Sequence, residues 1–341
     1  MKNLKDYTLS ELEEILINLG EPKFRAKQIF KWLYSGAESY GDMTNIPKSL
    51  KEKLEIEYSV SGLKINQKFV SDIDETRRYL LELDDGNFIE SVLMKYHHGY
   101  TICVSSQVGC AMGCAFCAST KGGKVRNLEP SEIIGQVMTV QKDLGERISN
   151  IVMMGMGEPL DNFENVLRFL EIVNHSDGMN IGHRHISLST CGIVPRIMEL
   201  ADKKLQITLS VSLHASNDEK RSEIMPINRR YNICELLKAC RYYIEKTNRR
   251  ISFEYTLING VNDTIDEAKE LLSLVSGMLC HINLIPVNAV EGTGFSASDK
   301  RAIEAFRAYL EKGGVSATIR REMGADISAA CGQLRANTLR R

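Results

Sequence analysis

The chain has 341 residues, 43% hydrophobic and 26% charged. That is ordinary soluble globular composition, with length for about two domains at roughly 150 residues each. Its 43 Lys and Arg against 44 Asp and Glu leave a formal net charge of −1, which argues against attachment to nucleic acid by bulk charge but permits a local basic surface. Nine cysteines, odd in number and unevenly spaced, make a poor disulfide framework. The opening MKNLKDYTLSELEEIL lacks the apolar run of a signal peptide, and no segment reaches the length of a membrane span. A reducing cytoplasm is the expected setting.

Residues 1–60 read as short charged helices. Ser10 is placed to cap SELEEILINLG, with Glu13 completing a capping box and Gly20 as the stop. A second helix is expected from about Lys23 to Tyr34, and a third after Pro47 in PKSLKEKLEIEY. RRYLLEL and NFIESVLMKY then flank Asp85-Gly86, a hairpin signal. Further on, TICVSSQ, ISNIVMMG, HISLST, QITLSVSL, ISFEYTL and HINLIPV read as strands. SEIIGQVMTVQKDL, NFENVLRFLEIVN, NICELLKACRYYIEK and TIDEAKELLSLVS read as the helices between them, and GVSATIR as a last strand. Such alternation implies parallel pairing, in an open sheet or a partial barrel. Active sites of these folds collect at the C-terminal ends of the strands. QVGCAMGC, GMGEP, STCGIVP, SLHA and PVNAV all fall there.

Cys110, Cys114 and Cys117 follow the first of these strands. Three thiolates can hold three irons of a cubane cluster and leave the fourth open, which four-cysteine ferredoxin spacing does not. A structural zinc site needs a fourth ligand and other spacing, and three buried thiols are the remaining reading. Gly157 and Glu158 follow SNIVMM. A glycine admits a ligand close to the backbone and a carboxylate accepts from an ammonium, although these residues could equally form a plain turn. Ser189, Ser212, Leu213, His214 and Asn288 also end strands. Each is a weak signal alone, but together they point to one mouth. Cys103 and Cys331, like Cys191, Cys234, Cys240 and Cys280, read individually as small buried apolar residues. Glu90 interrupts an apolar strand and reads by default as solvated.

CVSSQVGCAMGCAFC, MMGMGEPL, ISLSTCGIVP, SLHASNDEKRSEIMPINRRY, NLIPVN and DISAACGQL occur in one order along the chain. The C-x3-C-x2-C motif, with Phe116 before its last Cys, resembles the radical S-adenosylmethionine (SAM) superfamily. The full set closely resembles the RlmN/Cfr family of RNA adenine methyltransferases, over about Glu21 to Arg335. The resemblance implies an α/β fold, a partial (β/α)6 barrel with a small N-terminal helical accessory domain. Its implied parts are the accessory domain at 1–60, a connecting hairpin at 61–98, and a radical SAM core at 99–341 whose C-terminal extension carries a methyl-accepting cysteine.

The resemblance also implies a [4Fe–4S] cluster on Cys110, Cys114 and Cys117. SAM, two per turnover, would be lined by Gly157, Glu158, Ser189, Ser212, Leu213, His214 and Asn288. One SAM would methylate Cys331. A second, cleaved at the cluster, would yield a radical that takes hydrogen from that methyl group, and the thiomethylene radical would add to C2 of an adenine. Glu90 would take the C2 proton. Cys103 would release the product through a transient disulfide with Cys331. Carbon 2 is neither acidic nor nucleophilic, so a radical route avoids an unworkable direct transfer.

The implied partners are 23S rRNA at the peptidyl-transferase region, tRNA at the adenosine 3′ of the anticodon, a cytoplasmic electron donor and a disulfide reductant, with no membrane. The Cfr branch, which methylates C8 of the same rRNA adenine, shares these motifs, but AKQIFKWLY with Trp32 looks more like the RlmN N-terminal module. An iron–sulfur RNA-binding or electron-transfer protein without methyl transfer is the reading from another class. Residues 220–250 hold nine Lys and Arg against three Glu, a local excess of six. Lys121, Lys124 and Arg126 follow the cysteine loop, and Arg320, Arg321, Arg335, Arg340 and Arg341 gather near the C-terminus. These three groups are candidate phosphate contacts, which position RNA without reading it.

Overall fold

The computed structural model describes residues 1–288, 290 and 292–334. Arg335, Arg340 and Arg341 lie outside the described residues. At the N-terminus, β1 (Lys2–Asn3) pairs in parallel with β2 (Tyr58–Ser59) and closes off helices α1 (Leu9–Asn18), α2 (Phe24–Tyr34) and α3 (Lys48–Glu57). The capping box of α1 is at Thr8, not at Ser10. Glu11 N–H donates to Thr8 Oγ1 at 3.3 Å and Thr8 N–H donates to Glu11 Oε2 at 2.8 Å. Thr8-x-x-Glu11 has the same spacing as Ser10-x-x-Glu13, and the extended backbone at Thr8 makes it the cap. Gly20, at φ +75°, ends the helix as expected, with Glu21 N–H donating to the Leu16 carbonyl at 2.9 Å.

The Asp85-Gly86 hairpin joins β4 (Arg77–Glu82) to β5 (Phe88–Tyr96). It is more than a connector. β5 pairs antiparallel with β6 (Gly99–Cys103), and a further strand, β3 (Lys64–Val70), pairs with β4 at the edge. β3 was not expected, because KINQKFV shows no apolar alternation and all seven residues are exposed. Past β6, a short antiparallel ribbon of β7 (Gln107–Gly109) and β8 (Lys124–Asn127) brackets the cysteine loop.

The barrel wall follows in regular alternation. α4 (Pro130–Leu144) leads to β9 (Ile148–Met153), α5 (Phe163–Asn174) to β10 (Ile186–Thr190), and α6 (Val194–Asp202) to β11 (Thr208–Ser212). After α7 (Asp218–Ile224), α8 (Ile233–Thr247) leads to β12 (Ile251–Leu257). Finally α9 (Ile265–Val275) leads to β13 (Cys280–Pro286) and α10 (Lys300–Lys312) to β14 (Ala317–Ile319). The strands lie in the order β14-β13-β12-β11-β10-β9-β6-β5-β4-β3, parallel from β14 to β6 and antiparallel beyond. β6 gives its free edge to β5 instead of closing on β14, so the barrel is partial. The gap is narrow: Arg320, just past β14, reaches Met154 Sδ at 3.7 Å, just past β9.

Alternation along the strands has a functional meaning. In β10, Ile186, Leu188 and Thr190 are buried while Ser187 and Ser189 are half-buried. The apolar set faces the helices. Small polar residues face the barrel interior, where Ser187, Thr208, Ser210, Ser252, Glu254, His281 and Asn283 line a polar cavity. Among the described residues, no helix is long and apolar enough to cross a membrane.

Candidate active site

A cavity of about 920 Å³, its open mouth included, lies at the C-terminal ends of the strands. Its walls bring together Cys110, Cys114 and Cys117 with Gly157, Glu158, Ser189, Ser212, His214, Asn288 and Cys331. Leu213, Glu90 and Cys103 do not line it. The Leu213 side chain is fully buried in the core, and its carbonyl accepts from Arg221 Nε at 3.1 Å.

The loop with the three cysteines is fixed from both sides. Cys110 N–H donates to the Gly123 carbonyl at 3.0 Å and Ala115 N–H to the Ile224 carbonyl at 2.9 Å. All three thiols are free. Burial pushes the Cys110 thiol up to about 12 and raises Cys114 and Cys117 as well, each also opposed by a neighbouring thiolate. Among the described residues, no three His, Cys, Asp or Glu side chains converge as they would on a single ion. Three cysteines spread around one cavity instead suit a cluster whose irons are separate centres. Its charge would favour the thiolates that burial disfavours.

The segment after β9 is packed too closely to admit side chains. At Gly157, φ +101°, a Cβ would lie 2.6 Å from Gln107 Cβ. Gln107 Oε1 accepts from Glu158 N–H at 2.9 Å. The Glu158 carboxylate accepts from Cys191 N–H at 2.7 Å and Leu160 N–H at 3.0 Å, which partly offsets the burial that raises its pKa. His214, at φ +56°, accepts at Nδ1 from Thr256 N–H at 2.9 Å and meets Phe116 edge-on at 4.9 Å. Burial, with the nearby Arg221 charge, lowers its imidazole to about 3, so it is neutral.

The segment after β14 carries Cys331 into the cavity wall. Asn288 Nδ2 donates to the Cys331 carbonyl at 2.9 Å, Ala118 N–H to the Gly332 carbonyl at 2.7 Å, and Ser119 Oγ to the Leu334 carbonyl at 2.7 Å. Farther back, Asp326 accepts from Ser71 Oγ at 2.7 Å and Gly324 N–H donates to Asp74 Oδ2 at 2.9 Å. Cys103 ends β6 just behind, buried with Val92, Met94, Met156 and Ala329. Burial and then the neighbouring Cys331 push its thiol up to about 12, while Arg320 acts in the opposite sense. Glu90 is 4% exposed, not solvated. Arg78 Nη1 donates to its Oε1 at 3.2 Å, and its carbonyl accepts from Ser105 Oγ at 2.7 Å.

Residues 104–275 match the radical SAM superfamily, and residues 2–60 match the N-terminal domain of ribosomal RNA large subunit methyltransferases. The chain is 56% identical over 341 residues to a probable dual-specificity RNA methyltransferase RlmN of Clostridium novyi, covering 100% of this chain and 99% of that one. The chain belongs to the RlmN family. A probable dual-specificity RNA methyltransferase RlmN of Clostridioides difficile is 56% identical over 332 residues, 97% of each chain. The crystal structure of a radical SAM methyltransferase from Sphaerobacter thermophilus superimposes with a TM-score of 0.94 at 46% identity, covering 98% of this chain and 100% of that one. The protein is thus a radical SAM RNA methyltransferase. RlmN-family membership brings with it a [4Fe–4S] cluster and SAM.

Sequence reasoning missed the groups that hold this RlmN site rigid. Arg221 sat among the nine basic residues offered as a phosphate surface, but it is fully buried. Its guanidinium donates to the carbonyls of Leu213, Cys191 and Ser212 at 3.1, 2.8 and 3.0 Å, and to Asn228 Oδ1 at 2.9 Å. In DEKRSEI nothing distinguishes it from its solvated neighbours. Other basic groups are committed as well. Lys220 pairs with Glu267, Lys124 with Asp161, and Arg126 with both Glu132 and Asp85. Arg229 and Arg230 are exposed, close to the stretch 224–226 that packs on the cysteine loop. Arg249 and Arg250 precede β12, at the opposite end of the barrel, so the local excess of six is not one patch.

Proposed function

We propose that the protein methylates C2 of an adenosine, in the peptidyl-transferase region of 23S rRNA and 3′ of the anticodon in tRNA, through a methylated Cys331. What carries the reading is that one cavity is walled by the three-cysteine loop, Glu158 and Cys331 together. Cys110, Cys114 and Cys117 are the residues to hold the cluster, and when bound it would supply the electron that cleaves SAM. Glu158, with Gly157, Ser189, Ser212, His214 and Asn288, is the cradle for SAM. Leu213 does not line the cavity and would act only by fixing the strand end, its N–H donating to the Glu254 carbonyl and its own carbonyl accepting from Arg221. Neutral His214 accepts a backbone N–H and brings no second positive charge to a site for a cationic sulfonium.

Cys331 would take the methyl group at sulfur and present it to the adenine. Glu90 would take the C2 proton, its carboxylate held by Arg78. The Cys103 sulfur would then attack the Cys331 sulfur. The new S–S bond replaces the bond from Cys331 to the transferred methylene carbon, whose electron pair takes up a proton to complete the methyl group, and the RNA is freed. A cytoplasmic reductant must afterwards return both thiols, and a cytoplasmic electron donor must feed the cluster.

Mass spectrometry of nucleosides from a deletion strain tests the product. Loss of 2-methyladenosine from 23S rRNA is expected, and loss of 8-methyladenosine instead would overturn the assignment. Cys103→Ala tests the relay: it should accumulate a covalent protein–RNA adduct through Cys331, whereas methylated RNA released at normal yield would refute the role of Cys103.

A further inference from the structure

Lateral pairing sets four residues in one row on one face of the sheet: Phe69 is opposite Arg78, Arg78 opposite Val92, and Val92 opposite Cys103. At ~4.8 Å per strand, Arg78 stands roughly 10 Å and Phe69 roughly 14 Å from Cys103. The inner half of the row is covered, since Val92 and Cys103 pack with Met323, Ala329 and Leu334. In the outer half Phe69 is open and Arg78 is mostly covered, its side chain 18% exposed. Phe69 is 36% exposed on an edge strand whose residues are all exposed. The Arg78 guanidinium lies over the Phe69 ring, 4.5 Å from its centroid, and its Nη1 holds Glu90. Arg78 Nε is buried with no hydrogen-bond partner among the described residues.

β3 carries the usual protections of an edge strand, in Lys64, Lys68 and a bulge between Ile65 and Gln67, and the open Phe69 ring is additional to them. A ring and a guanidinium stacked at such an edge present a flat cationic surface, which suits the face of an unpaired nucleobase. Its alignment with Cys103 argues for RNA as the occupant over a second protein strand.

We propose that Phe69 and Arg78 form a stacking platform for a base neighbouring the adenosine that is methylated, so that the substrate strand lies splayed along this row, on the face that carries Cys103. The inference rests on the reading that Cys103 and Cys331 mark the reaction centre. It adds a determinant of RNA binding to that reading.

The test uses reconstituted holoenzyme and two anticodon stem-loop RNAs, with 2-aminopurine on the 5′ or the 3′ side of the target adenosine. Wild-type protein should quench one of the two probes. Phe69→Ala should abolish the quenching and weaken binding roughly 5- to 150-fold, the range of one base–aromatic stack. Phe69→Trp should retain both properties. Thermal stability and label incorporation from SAM into Cys331, which need no RNA, should be unchanged in Phe69→Ala. The proposal is overturned if neither probe is quenched, if Phe69→Ala binds within about twofold of wild type, or if Phe69→Leu performs as well as Phe69→Trp. Absence of label on Cys331 in wild-type protein would instead overturn the reaction reading, while quenching still decides the platform.

Discussion

Arg221→Met keeps most of the bulk of the side chain and removes its charge and its donors. The four acceptors it abandons are the carbonyls of Cys191, Ser212 and Leu213, where β10 and β11 give way to the cavity, and Asn228 Oδ1. Hydrogen bonds to a charged group contribute ~1.5–3 kcal/mol each, but taking the guanidinium out of water costs several kcal/mol, so the gains do not simply add. What remains in the variant is a set of buried acceptors that have each lost a donor, although the Leu213 carbonyl keeps the one from Ala215 N–H. A loss of ~3–5 kcal/mol is expected, as when one partner of a buried charged network is removed, out of a typical total of about 5–15 kcal/mol. Urea titration followed by circular dichroism measures it, with equilibrium dialysis of SAM alongside. SAM affinity should fall by about tenfold or more, equivalent to ~1.4 kcal/mol, because the loosened strand ends carry the cradle. Arg221→Lys should recover only a minor part, since one ammonium cannot span acceptors placed around a planar fork. A stability loss below ~1 kcal/mol with unchanged SAM affinity would refute the reasoning.

Gly157→Ala combines a φ of +101° with a Cβ 2.6 Å from Gln107 Cβ and 2.8 Å from Gln107 N. The loop must move, so SAM affinity should drop at least ~10-fold, and wild-type affinity by dialysis would show that the close approach is unimportant. His214 gives a pH dependence of definite sign. Its folded pKa is about 3 against 6.5 unfolded, so between these values the unfolded chain binds a proton that the folded chain does not. Stability therefore falls as pH drops from 6.5 toward 3. His214→Asn, which tolerates the positive φ, should flatten that part of the urea midpoint against pH in the apo-protein. Parallel curves for variant and wild type would disprove the assignment.

The barrel wall was legible because the strands carry an apolar face toward the helices and end in distinctive motifs, such as STCGIVP and SLHA, on the functional side. HISLST and QITLSVSL are examples, and the serines that break their apolar runs turn out to face the cavity. The cysteine loop stood out by its spacing, and the resemblance of that motif to the radical SAM superfamily pointed to a cluster. What stayed hidden was whatever depends on long-range burial. Glu90 is an ordinary strand carboxylate until Arg78, twelve residues away, and Ser105 enclose it. Arg221 lies in a charged run, and only the approach of β10 and β11 makes it a core residue. Gln107 supports Glu158 across a separation of 51 residues, which no local pattern encodes. The cap at Thr8 was misplaced for a different reason: two equivalent spacings overlap, and tertiary packing selects between them.

The segment bearing Cys331 belongs to no strand. It is tied at one end to the turn after β3, through Asp74 and Asp326, and at the other to the cysteine loop, through Ala118 and Ser119. Loop and strap thus share their hydrogen bonds and form one cooperative unit. Whatever favours the ordered cysteine loop therefore also favours the ordered strap, and the strap favours the loop in return by the same coupling free energy. A cluster held by the loop would therefore also help to hold Cys331 in place, through the Ala118–Gly332 and Ser119–Leu334 hydrogen bonds.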